Sequence, residues 1–92
     1  MYEMRKNVLD DIVARLNKKL SLPTNPVQED DDGTREFVPG VFHLSIVGRR
    51  YDLVRVDGKN GGVMSVFCLG HQTAETLYKM IIAFMEGIDY EN

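Results

Sequence analysis

Residues 41–56, VFHLSIVGRRYDLVRV, decide the fold. Phe42, Leu44 and Ile46 alternate with His43 and Ser45, the period-two signature of a strand with one buried face. Gly48 and Arg49 then form a two-residue turn of the type that takes glycine first. That turn sets the register: Ile46 pairs with Tyr51, Leu44 with Leu53 and Phe42 with Arg55. One face of the hairpin is therefore Phe42, Leu44, Ile46, Tyr51 and Leu53, and it has to pack on helices. The other carries Val41, His43, Ser45, Val47, Arg50, Asp52, Val54 and Val56, a mixed surface that is either partly covered or meets something else.

Downstream, Asp57, Gly58, Lys59, Asn60, Gly61 and Gly62 favour turns and positive φ, so they make a loop. In GVMSVFCLG, Val63, Phe67 and Leu69 alternate with Met64, Val66 and Cys68, and both sets are apolar apart from Ser65. This pattern predicts a third strand over 63–69 buried on two sides, either central in the sheet or covered by a partner. A final helix over 73–87 starts at Thr73 as N-cap with Glu75 in its first turn. Its core stripe is Ala74, Leu77, Tyr78, Ile81, Phe84, Met85 and Ile88, and Gly87 suits a left-handed C-cap. Met80, Ile82 and Ala83 fall off that stripe, so either the first helix or a second chain has to cover them.

Upstream, Met4, Val8, Leu9, Ile12, Val13, Leu16 and Leu20 recur at three- and four-residue steps and predict an amphipathic helix over 3–20, stopped around Ser21, Leu22 and Pro23. Residues 21–36, SLPTNPVQEDDDGTRE, show no apolar period and hold the acidic run Glu29, Asp30, Asp31 and Asp32. They read as a flexible acidic connector, either functional or disordered. The expected architecture is a single α+β domain over residues 1–92, a three-stranded antiparallel meander flanked by an N-terminal and a C-terminal helix (α-β-β-β-α).

The chain's 92 residues leave room for one modest core, and its net charge of -3 argues against general phosphate-backbone binding. Its one cysteine rules out an internal disulfide and points to a reducing, cytoplasmic setting. Residues 1–16 mix both charge signs through their apolar positions, unlike a signal peptide, and no apolar stretch reaches the length of a membrane span.

No GxSxG, P-loop, GxGxxG, HExxH or paired-cysteine pattern is present. Cys68 with His43 or His71 is the one conceivable nucleophile and base pair, yet its apolar neighbours favour a buried structural cysteine. Aligning Gly33 with the glycine of a calcium loop puts Gln28 and Pro39 where carboxylates are required, so the acidic run reads as a solvated connector. A third use for it is to mimic nucleic-acid phosphates in a partner's basic groove. Arg49 and Arg50, with Arg55 and Lys59, are expected to form a small cationic patch at one end of the sheet. His43 and His71 lack a second ligand at metal-binding spacing, so neither a metal nor a cofactor is expected.

The order helix, three strands, helix, ending in LGHQTAETLYKMIIAFMEGI, resembles the small accessory proteins of phages and prophages, anti-CRISPR inhibitors among them. The resemblance implies a small binder of a host or viral macromolecule without chemistry of its own. Together with the surplus apolar surface around Met80 and Ile82, it sets the expectation of a non-enzymatic protein-interaction module acting as a homodimer. Its candidate contact residues are Glu29, Asp30, Asp31, Asp32, Arg49, Arg50, Arg55, Met80 and Ile82. The alternative is nucleic-acid binding through the basic hairpin patch, with a steep dependence on salt.

Overall fold

The computed structural model describes residues 6–23, 25–29, 31–58 and 61–91. The chain runs α1 (Lys6–Lys19), β1 (Val27–Glu29), β2 (Arg35–Phe37), β3 (Phe42–Val47), β4 (Arg50–Val56), β5 (Val63–Ser65) and α2 (Ala74–Glu91). The fold is α+β, but its strands form two sheets, an antiparallel β1-β2 pair and a three-stranded antiparallel sheet in the order β3-β4-β5. The expected single-sheet layout is therefore corrected by one additional hairpin.

The central hairpin has the expected register, with Ile46 opposite Tyr51, Leu44 opposite Leu53 and Phe42 opposite Arg55. Gly48 takes φ 59 in its turn, the left-handed conformation that glycine adopts without a Cβ clash. Leu9, Ile12, Val13 and Leu16 of α1, Leu77 and Ile81 of α2, and Phe42 and Leu53 of the sheet form the core. The Phe84 ring closes it, meeting Phe42 and Phe67 edge-on at centroid distances of 6.0 and 5.8 Å. The mixed face is buried where Val41, Asp52, Val54 and Val56 sit, and exposed at Val47 and Arg50.

α1 ends at Lys19, just ahead of the expected stop at Ser21, Leu22 and Pro23, but Leu20 does not join its buried stripe. Ser21 adopts φ 59, its N–H bonds the Lys18 carbonyl at 3.0 Å, and the Leu22 N–H reaches the Asn17 carbonyl at 2.8 Å. This left-handed cap satisfies the last helical carbonyls before proline is reached, and leaves Leu20 exposed in the turn. At the start of α2, Thr73 is the N-cap, with its Oγ1 accepting the Thr76 N–H at 3.3 Å. The Gly87 C-cap is corrected: α2 continues through Gly87 to Glu91. An ion pair between Lys19 and Asp89 ties the C-terminal ends of the two helices together.

The segment expected to be a flexible connector holds β1 and β2, paired through Val27 with Phe37, Gln28 with Glu36, and Glu29 with Arg35. Strands this short carry no legible alternation. Local bonds hold the turn, where Gly33 takes φ 85 and the Asp32 carboxylate accepts the Thr34 N–H at 3.0 Å. At the base the Phe37 ring lies so close over Gly61 that a Cβ there would sit 2.7 Å from it. Glycine at 61 is thus what lets β2 approach the loop between β4 and β5.

The predicted third strand over 63–69 is also shortened. The Val66 N–H still bonds the Leu53 carbonyl at 2.9 Å, but the chain then loops out and returns at Gln72, whose N–H and C=O both pair with Tyr51 at 2.7 Å. Cys68 at φ 58 and Gly70 at φ 77 make this bulge, and it swings Phe67 onto Phe84. β5 is consequently an edge strand with Val63 and Met64 half exposed, and β4 takes the centre.

Candidate interaction surface

The expected contact residues do not form one surface. Glu29 ends β1 and pairs with Arg35 at 3.8 Å, while Asp31 and Asp32 are exposed in the β1-β2 turn; Asp30 lies outside the described residues. Bonds from the Thr34 backbone N–H, and then from its hydroxyl, hold the Asp32 carboxyl below the usual aspartate range. Glu29, Asp31 and Asp32 therefore belong to the tip of a built hairpin.

The cationic patch is corrected. Arg49 lies in the β3-β4 turn and Arg50 opens β4, but Arg55 is five residues further along that strand. An odd separation turns its side chain to the opposite face, and at ~3.4 Å per residue its Cα is about 17 Å away. Lys59 lies outside the described residues. Met80 and Ile82 are half-buried, and Ile82 packs against the core, so they do not supply the free apolar patch expected of them.

Cys68 is exposed, which corrects the buried cysteine. The bulge turns it outward, where its N–H bonds Ser65 Oγ at 3.1 Å and its Sγ donates to the Ser65 carbonyl at 3.4 Å. Neither histidine partners it. His71 Nε2 instead lies 3.0 Å from Ser45 Oγ, and the cross-strand register puts Asp52 between these two residues in one row. This bond ties the returning segment to β3 across a buried carboxyl group.

The outer edge of β3 is the surface that residue chemistry picks out. Both the N–H and the C=O of Phe42 point away from β4, and the buried side-chain amide of Asn17 takes both, each at 2.9 Å. Asn17 thereby acts as one residue of a neighbouring strand. In an antiparallel pair outward and inward residues alternate, so Leu44 and Ile46 also direct their N–H and C=O groups outward. Tyr51 supports this assignment: it faces Ile46 and spends both its backbone groups on Gln72, on the other side of β4.

Among the described residues nothing pairs with the outward groups of Leu44 and Ile46. Ile46 and Val47 are 43% and 62% exposed beside them, and no charged side chain interrupts residues 41–47. Long edges without charge, proline or bulge are templates for another strand. Asn17 was missed in the sequence, although it stands four residues after Val13 on the apolar stripe of α1, and an amide at a core position is the signal that finds it.

Among the described residues no helix is long and apolar enough to cross a membrane. No family model, curated protein or solved structure matches this chain.

Proposed function

We propose that this protein is a non-enzymatic protein-interaction module that takes an extended segment onto the outer edge of β3. The observation that supports it is the pair of residues, Leu44 and Ile46, whose outward backbone groups are left open between the Asn17 cap and the Gly48 turn. Strand addition supplies affinity through main-chain hydrogen bonds and selectivity through alternate side chains, here at Ile46 and Val47. Among the described residues the nucleic-acid alternative retains only Arg49 and Arg50 on one end of the sheet, and no observation favours it.

Ile46→Pro tests this reading. Proline at 46 removes one outward donor and leaves the ladder to β4 intact, as edge positions allow. In pull-downs from nuclease-treated lysate of cells that also express an untagged copy of this chain, the tagged wild type is expected to retain a protein partner, the second copy included, that the folded Ile46→Pro variant loses. Equal capture by both, or capture that nuclease abolishes, overturns it.

A further inference from the structure

We infer that the segment received at this edge is β3 of a second copy, antiparallel to the first about a two-fold axis through Ser45. The inference rests on the strand-addition reading and names its partner. The argument is one of fit at both ends of a short window. Asn17 occupies the outward groups of Phe42, and the chain turns away at Gly48, so among the described residues only Leu44 and Ile46 are open on this edge. A long peptide extended past this window runs into the Asn17 amide and the end of α1. A second β3 does not, because the two-fold register places Phe42 opposite the partner's Gly48, where the partner strand has already ended.

Within the window the match is complete. Leu44 faces the partner's Ile46, and Ile46 faces the partner's Leu44. Each such pair exchanges two N–H···O bonds, which uses every open group on both edges. The same register sets apolar Leu44 against Ile46 on the helix-bearing face and His43 against Val47 on the other.

Charge also permits the pairing. Residues 41–47 hold no Asp, Glu, Lys or Arg, so no like charges from those side chains meet along the joint. The Arg49 residues of the two copies are eight positions apart, about 27 Å at ~3.4 Å per residue. That exceeds the screening length of roughly 8 Å at physiological salt. The isologous contact closes after two copies, so it gives a dimer and no fibre.

The register makes residue 45 its own neighbour across the axis, at the ~4.5 Å Cα separation of a non-hydrogen-bonded pair, within disulfide reach. Ser45→Cys in a Cys68→Ser background is therefore expected to form a covalent dimer under mild oxidation. His43→Cys in the same background is expected not to, since position 43 faces position 47. Light scattering is expected to give a dimer mass for the wild type, and Ile46→Pro, which deletes two bonds by symmetry, to weaken the dimer roughly tenfold or more.

A monomer up to high micromolar concentration, cross-linking at 43 as efficient as at 45, or a dimer indifferent to Ile46→Pro each overturns the inference. A monomeric wild type whose lysate partner still depends on Ile46 removes the second copy and leaves strand addition standing. Indifference to Ile46→Pro in both experiments removes both.

Discussion

The two edges of the three-stranded sheet are finished in different ways. β5 has three residues, the Cys68 bulge follows it at once, and the Cys68 thiol takes the carbonyl of Ser65. β3 has six residues, no bulge and no charged side chain, and its closure is one amide, Asn17 on Phe42. Shortness and bulging blunt an edge for every partner, whereas a single side-chain cap closes one end and leaves the rest open. The difference teaches that the open stretch of β3 is a bounded window.

Removing the cap is the strongest way to break this contrast. Asn17→Ala leaves a buried N–H and a buried C=O unpaired, and a loss of about 2–4 kcal/mol in urea unfolding is expected. Proline scanning tests the alternation itself. Val47→Pro deletes an inward ladder bond next to the turn and is expected to cost about 1–3 kcal/mol, although the Val47 side chain is exposed.

Two smaller effects sharpen the picture. Ser21→Gly relieves a left-handed residue at the end of the helix that presents Asn17, and a gain of about 1 kcal/mol is expected in thermal unfolding. Compared as dissociated monomers at low concentration, Ile46→Pro is expected to stay within roughly 1 kcal/mol of the wild type, since its N–H has no partner in the ladder to β4. Equal costs at 46 and 47 contradict the outward assignment.

The smallest effect belongs to the other hairpin. The carboxyl of Asp32 titrates below its ordinary range when folded, so its contribution is present above the unfolded value of about 4 and fades as pH falls through the folded one. The Thr34 amide resonance is expected to move in that acid window and to lose the response in Asp32→Asn, with the β3-β4 hairpin unaffected.

The hairpins also differ in how legible they were. Phe42, Leu44 and Ile46 announce β3 because burial on one face writes a period of two into the side chains, and Gly48 marks the turn. β1 and β2 show no such period, since their three-residue strands are mostly exposed and their pairing rests on a turn and on Phe37 over Gly61. The over-long third strand has a similar cause. Phe67 and Leu69 continue the apolar pattern, but Phe67 leaves the sheet to pack half-buried against Phe84 and Leu69 is exposed. The contacts expected from the sequence rest on charge and surplus hydrophobicity, and neither quantity reports an open backbone edge.

The amino-acid order by itself determined the α+β class, the register of the central hairpin, the core stripe of α2 and the Leu9, Ile12, Val13 and Leu16 stripe of α1, because each follows from spacings within a few residues. Only the tertiary structure decided that Asn17 closes β3 at Phe42, 25 residues away, that Cys68 leaves the sheet, and that Leu44 and Ile46 find no backbone partner among the described residues. The physical reason is that periodicity records how much each side chain is buried, while the pairing of a distant donor with its acceptor depends on where packing brings the elements together.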